Sequence, residues 1–258
     1  MNRAIRMQAN RESTKVGLIG CGAIAKLIAE AVEKKLVVCD ELVLYDQDAE
    51  KAEALKNSLR FPVTVVSDVE AMLLLKPKVI VEAASQEAAR EYVERIASEG
   101  VDVIVMSTGA LLGLNVETSK IHVPAGAIGG LDALSSAALA GIDEVVFTSR
   151  KNPRAFEMDN KEAKVMYEGT AEEAARLYPR KMNVAATLAL TVKPAKVRVQ
   201  VISDPTVQRN THEFKVKWRF GEMFLRFAND PHPDNPRTIA LAAWSAIKLL
   251  QTLLLSSA

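Results

Sequence analysis

The chain has 258 residues, enough for one large core or two modest ones, and with 49% apolar and 25% charged residues it has the balance of an ordinary globular protein. Its 33 Lys and Arg against 32 Asp and Glu leave a formal charge of +1, which gives no electrostatic pull toward nucleic acid or an anionic membrane surface. Two cysteines, Cys21 and Cys39, are too few for a disulfide framework and suit a reducing cytoplasm, and no apolar run is long and clean enough for a signal peptide or a membrane span.

Residues 1–14 are polar and mixed in charge and are expected to form a flexible extension, with Met7 an alternative start. Short β-branched runs then alternate with helical patterns. Strands are expected at Lys15–Ile19, Glu41–Tyr45, Val63–Val66, Val79–Ala83, Val101–Met106 and Lys120–Val123. Helices are expected at Ala23–Lys35, Ala49–Leu59, Val69–Leu75 with Asp68 as its cap, and Glu87–Glu99. Strands that alternate with helices need crossover connections, and so a parallel sheet. Continuous apolar runs such as Val101–Met106 suit strands covered on both faces. Residues 15–125 therefore read as a Rossmann-type, doubly wound dinucleotide-binding domain of the α/β class.

After about Gly126 the rhythm changes. Helices are expected at Leu131–Ala140, Thr170–Leu177 and Asn183–Thr191, and strands at Glu144–Ser149, Lys164–Tyr167, Val197–Ser203, His212–Arg219 and Glu222–Phe227, the last two joined at Phe220-Gly221. Strands with segregated helices predict a second, α+β domain on an open sheet over residues 126–235, the substrate and catalytic half. A closing helix is expected over residues 236–255, with Pro236 in its first turn, packing back on the first domain.

The strongest local motif is VGLIGCGAIA at residues 16–25, a GxGxxA turn that ends a strand and opens a helix. Gly20 permits the tight turn, Gly22 lets the backbone approach a diphosphate, and Ala25 keeps the helix close to the sheet. The helix start, with Ala23 and Ile24, offers free N–H groups and a positive dipole end to an anion. Asp46 ends the second strand, 26 residues beyond Gly20, where a carboxylate can bind the adenosine ribose and favour NAD over NADP. The plain alternatives are a structural turn with no ligand and a solvated strand-end aspartate. Cys21, beside a helix start that can lower a thiol pKa, reads more simply as a spacer. Ala83 and Ala84 at the end of the fourth strand join the cofactor set. Ser107–Gly109 and Gly126–Gly130 follow strands at the same end of the sheet, where such folds bind ligands.

Three histidines are present. His122 lies within a strand and reads as structural, and His232 sits in an exposed proline-rich loop. His212 begins a strand of the second domain, but as one of three it is thin evidence for catalysis on its own. Asn183 opens a helix, where an N-cap role needs no ligand. There is no CxxC, HExxH or GxSxG, and no metal is expected.

Several long stretches taken in order, VGLIGCGAIA (16–25), VEAASQEAAREY (81–92), PAGAIGGLDAL (124–134), NVAATLAL (183–190) and NTHEF (210–214), resemble the L-aspartate dehydrogenases of the archaeal and bacterial type. The resemblance implies NAD- or NADP-dependent oxidation of L-aspartate to iminoaspartate, which hydrolyses to oxaloacetate and ammonia or feeds NAD biosynthesis. It implies that His212 is the catalytic general acid/base, that Ala127 and Asn183 line the cofactor, and that the protein is a cytoplasmic homodimer with the second domain at the interface. A substrate with two carboxylates calls for cations, and Arg150, Lys151, Arg180, Lys181 and Arg237 are candidates. The competing readings are another two-domain enzyme of the homoserine dehydrogenase or dihydrodipicolinate reductase type, and a nucleotide-sensing protein without turnover.

Overall fold

The computed structural model describes residues 13–114, 119–179, 182–232 and 235–256. The expected extension therefore falls almost wholly outside the described residues. The first unit runs β1 (Lys15–Ile19), α1 (Ala23–Glu33), β2 (Glu41–Tyr45), α2 (Ala49–Asn57), β3 (Val63–Val65), α3 (Val69–Leu74), β4 (Val79–Glu82), α4 (Gln86–Ser98), β5 (Asp102–Val105), a 3-10 turn (Thr108–Leu111) and β6 (Ile121–His122). All six strands pair in parallel in the order β3-β2-β1-β4-β5-β6. The winding reverses between β1 and β4, the crevice where such sheets hold ligands.

Strand side chains alternate between faces, so each run of apolar residues feeds two cores. Val16, Leu18, Leu42, Leu44 and Val81 pack against Ala25, Ile28 and Val32 of α1. Ile19, Val43, Ile80 and Val103 pack against Met72 of α3 and Val93 and Ile96 of α4. Asp68 caps α3 as expected, accepting from the Ala71 N–H at 2.7 Å.

The second unit runs α5 (Leu131–Ala140), β7 (Ile142–Lys151), a 3-10 turn (Pro153–Phe156), β8 (Lys164–Thr170), α6 (Ala171–Leu177), α7 (Asn183–Thr191), β9 (Val197–Ser203), β10 (Asn210–Trp218) and β11 (Gly221–Asn229). Its mixed sheet has the order β11-β10-β7-β9-β8, with only β7 and β9 parallel. One face buries Phe147, Val199, Phe214 and Val216 against Leu134 of α5, Ala174 of α6 and Ala185 and Leu188 of α7. The opposite face carries the exposed Glu144, Lys215, Lys217 and Phe224. A capping box starts α6, with Thr170 accepting from Glu173 N–H and Glu173 accepting from Thr170 N–H.

Several element ends shift by one to three residues, and two differences from expectation change a turn or the element a residue belongs to. The hairpin turn is Arg219-Phe220, and Gly221 already pairs with Trp218. Pro236 does not start the closing helix. It lies in β13 (Asn235–Ile239), which pairs with β12 (Pro231–His232), and α8 runs Ala240–Ser256. The fixed φ of proline suits a short ribbon edge as well as a first helical turn, because its missing N–H is not needed at an edge. α8 then lies on the first sheet, with Ala246, Ile247, Leu250 and Leu254 in the core shared with α1. No helix among the described residues is long and apolar enough to cross a membrane.

Candidate active site

Gly20 takes φ +86°, a conformation that L side chains rarely adopt, and its N–H donates to Tyr45 O at 2.8 Å. A Cβ there would stand 2.7 Å from Ala84 Cα, so the turn is pressed against the end of β4. Gly22 is different. It is the N-cap of α1 with ordinary φ −82°, and a Cβ added to it meets nothing within 4 Å. No side chain caps this helix and no acid sits in its first turn. The first bond of the helix runs from Lys26 N–H to Gly22 O, which leaves the amides of Ala23, Ile24 and Ala25 without an acceptor inside the helix. Open space over an uncapped helix start fits a diphosphate.

Asp46 closes this end of the crevice. One carboxylate oxygen accepts from Cys21 N–H at 2.7 Å and the other from Asp48 N–H at 2.9 Å. Each oxygen keeps a second lone pair, so a ribose hydroxyl can still be received. The Cys21 thiol does not gain acidity from the helix start. Burial, with Asp46 adding, pushes it up to about 12, which leaves it a spacer.

Glu82, on the end of β4, was missed as a site residue in the sequence. It is fully buried and its carboxylate accepts from Ala84 N–H at 2.9 Å, Ser107 N–H at 3.0 Å and Ser107 Oγ at 2.9 Å. Burial pushes its carboxyl above the usual range while these donors oppose the shift. Glu82 thus staples the loop with Ala83 and Ala84 to the loop after β5. A lone acid closing the apolar run Val79-Ile80-Val81 was the available signal.

The two units meet above that staple. Thr108 Oγ1 donates to Asn183 O at 2.8 Å, Gly109 N–H donates to Asn183 Oδ1 at 3.4 Å, and Thr187 Oγ1 donates to Thr108 Oγ1 at 3.1 Å. Met182, not Asn183, is the N-cap of α7; Asn183 is its first residue and turns its amide to the first unit. Gln86 bridges as well, with Nε2 donating to Pro179 O at 2.9 Å. Ala127 is buried, and its carbonyl accepts from Asn229 Nδ2 at 3.1 Å. Asn229 pairs with Asn210 at the end of β10 that carries His212.

His212 is 5% exposed and packs at 5.5 Å, centroid to centroid, from the Phe147 ring. Its Nδ1 is sealed from solvent and meets no hydrogen-bonding group among the described residues. Leaving such an atom unpaired costs about 1–3 kcal/mol, which a bound partner would recover. Burial, with the positive charge of Lys151 adding, lowers its pKa to about 4, so the ring is neutral at neutral pH. His122 instead pairs its Nε2 with Asp102 Oδ1 at 2.8 Å, beside Lys120, at the start of β5. The side chain of His232 lies outside the described residues.

Of the cationic candidates, Arg150 is on the wrong face. It pairs with Asp204 at 3.1 Å and Glu213 at 3.5 Å on the side of the sheet away from His212. Arg180 and Lys181 and the side chain of Arg237 lie outside the described residues. No group of His, Cys, Asp and Glu that could hold a metal ion occurs among the described residues.

Comparison with known proteins agrees with this layout. Residues 20–129 match the family model described as the homoserine dehydrogenase NAD-binding domain, and residues 132–253 match that of the aspartate dehydrogenase C-terminal region. The chain is 42% identical to the L-aspartate dehydrogenase of Methanothermobacter thermautotrophicus, over 92% of this chain and 95% of that one. It is 37% identical to the L-aspartate dehydrogenase of Archaeoglobus fulgidus, over 92% and 97%. The crystal structure of aspartate dehydrogenase from Thermotoga maritima superposes with a TM-score of 0.76 at 28% identity, covering 94% of this chain and 97% of that one. The nucleotide half alone does not separate aspartate from homoserine dehydrogenases, whereas the second half does, and the chain belongs to the aspartate dehydrogenase family.

Proposed function

We propose that the protein catalyses NAD(P)-dependent oxidative deamination of L-aspartate, with Gly20, Gly22, Ala23, Ile24, Ala25, Asp46, Ala83, Ala84, Ala127 and Asn183 around the cofactor and His212 as general acid/base. The observation that carries the chemistry is the neutral, buried imidazole of His212 with an unmatched Nδ1. The nicotinamide ring supplies the hydride acceptor for the substrate Cα–H bond.

The uncapped start of α1 would hold the diphosphate, and the Asp46 carboxylate would receive the adenosine ribose. The Glu82 staple fixes the loops that would flank the nicotinamide end, and the Thr108–Asn183–Thr187 contacts hold the second unit against them. As the Cα–H bond is oxidised, the substrate nitrogen releases a proton to solvent and iminoaspartate forms. His212, uncharged beforehand, takes a proton from water as that water attacks the imine carbon, then returns one to the departing nitrogen. The products are oxaloacetate and ammonia.

Initial rates of NADH or NADPH formation with L-aspartate test the reading directly. Aspartate-dependent growth of the reduced-cofactor absorbance is expected. Reduction with homoserine but not aspartate, or tight cofactor binding with no turnover, overturns it in favour of the two competing readings. Assembly as a homodimer in the cytoplasm belongs to the same proposal.

A further inference from the structure

The connector between the two units, residues 123–130, runs along β11, the edge strand of the second sheet. Side chains of β11 alternate: Glu222, Phe224, Arg226 and Ala228 are exposed, while Met223, Leu225, Phe227 and Asn229 are part-buried on the other face. Three of these part-buried residues meet the connector in step. A Cβ added to Gly130 would overlap Leu225 Cδ2, one added to Gly129 would stand 3.4 Å from the Phe227 ring, and Asn229 Nδ2 donates to Ala127 O at 3.1 Å. The stripe is apolar up to Asn229, where a side-chain amide takes hold of the connector backbone instead.

The same dipeptide is held from the first unit as well. Gly126 N–H donates to Ser245 Oγ at 2.9 Å, and Ser245 Oγ donates in turn to Ala242 O at 2.8 Å within α8. Gly126 and Ala127 are therefore clasped between a helix packed on the nucleotide-binding sheet and the edge strand of the second sheet. β11 also fixes His212. In the antiparallel ladder with β10, Phe227 pairs with His212 and Asn229 with Asn210, which puts Phe227, Asn229 and His212 on one face. A short path of bonded and paired residues thus runs from Ala127 through Asn229 to His212.

We infer that Asn229 is a positioning residue that sets the distance between the connector at Ala127 and the His212 side of the cleft. This rests on the amino-acid dehydrogenase reading above, in which Ala127 lines the cofactor. Hydride transfer from a substrate Cα–H bond to a dinucleotide ring needs near-contact geometry, and a displacement of about 1 Å can cost about 100-fold in rate. Without the bond to Ala127 O, the connector drifts from β11 while Ser245 still retains it on the first unit. Cofactor and substrate then both bind, but at the wrong separation.

Asn229→Ala removes the contact, and Asn229→Asp removes its donor at constant volume, because a carboxylate presents only acceptors to the Ala127 carbonyl. The readout is a single turnover in stopped flow, with the full chain in excess over the dinucleotide, L-aspartate saturating, and reduced-cofactor absorbance as the signal. With every dinucleotide bound, the observed rate constant does not depend on how many molecules are folded, so a purely structural loss leaves it unchanged. Both variants are expected to lower that rate constant by roughly 10- to 100-fold, with the dissociation constant of NADH within about threefold of wild type. A wild-type rate constant in Asn229→Ala, or a fall matched by an equal loss of NADH affinity, overturns the inference. A wild type that does not turn over L-aspartate would instead sink the functional reading, and NMR on histidine-labelled protein then decides the role of Asn229. NADH is expected to move the His212 resonance, one of three, further in the wild type than in Asn229→Ala, and equal displacements overturn that role.

Discussion

The backbone N–H of Cys21 donates to the carboxylate of Asp46 at 2.7 Å, which ties the end of β2 to the glycine turn at the end of β1. The spacing of Asp46 from Gly20 is longer than the usual interval of about twenty residues, and the contact still brings the acid to the glycine turn. A second amide, from Asp48, holds the other carboxylate oxygen, so the acid is fixed in one orientation before any ligand arrives. Asp46→Ser removes the charge that repels a 2′-phosphate and the acceptor for ribose hydroxyls. The expected result is a fall of roughly 10- to 100-fold in kcat/KM with NAD, the scale of a hydrogen bond to a charged group, and a much smaller fall with NADP. An unchanged NAD-to-NADP ratio in initial-rate assays would remove Asp46 from cofactor selection.

Gly20 and Gly22 are two residues apart and should respond in opposite ways. Gly20→Ala places a methyl 2.7 Å from Ala84 Cα at a positive φ, so the backbone must move. A loss of about 1–3 kcal/mol in stability is expected, read from denaturant or thermal unfolding. Gly22→Ala meets no protein atom and has an ordinary φ, so stability should be unchanged within about 0.5 kcal/mol. The added methyl instead fills the diphosphate cradle, and the dissociation constant of NADH, followed by its fluorescence, should rise at least tenfold. Wild-type NADH affinity in folded Gly22→Ala would place the diphosphate elsewhere.

Much of this arrangement was legible in the sequence because it depends on local rules. The GxGxxA turn, the parallel strands and the cap at Asp68 follow from backbone conformation and apolar period, which neighbouring residues report. Asn183 was not legible in the same way. An asparagine at a helix start reads as a cap, yet its side chain faces Gly109, and only the docking of the two units decides which role it takes. Glu82 was hidden for a related reason: its three donors come from residues 84 and 107, the second in the loop after the next strand of the sheet. Lys151 and Arg150 could not be told apart from composition, since which of them shares a face with His212 depends on β7 register alone.

The Glu82 staple makes a stability prediction that separates shape from charge. Glu82→Gln is nearly isosteric, but its amide must place an N–H₂ group against Ser107 N–H or against the paired donors Ala84 N–H and Ser107 Oγ–H. A loss of about 1–3 kcal/mol is expected from the buried donor left without an acceptor. In the proposed cofactor pose the staple would flank the nicotinamide end, so kcat should fall along with stability while NADH affinity falls less. A variant as stable as the wild type would show that the carboxylate is not held by these donors.

His212 gives both a catalytic and a pH signature. General acid–base groups contribute typically 10²–10⁴-fold, so His212→Ala should lose turnover in that range while still binding NADH. The folded imidazole has a pKa of about 4 against an ordinary value of 6.5. Between those values the unfolded chain takes up a proton that the folded chain refuses, so this histidine leaves stability intact above pH 6.5 and lowers it progressively toward pH 4. The full window is worth at most about 3 kcal/mol. Carboxylates such as Asp102 and Asp204, held below their usual range by their partners, add losses of their own as the pH falls further. The contribution of His212 is therefore the difference between wild type and His212→Phe, which cannot be protonated and nearly conserves volume. Unfolding free energies measured from pH 7 to pH 4 should fall more steeply for the wild type, and parallel curves would mean that the ring accepts its proton in the folded state.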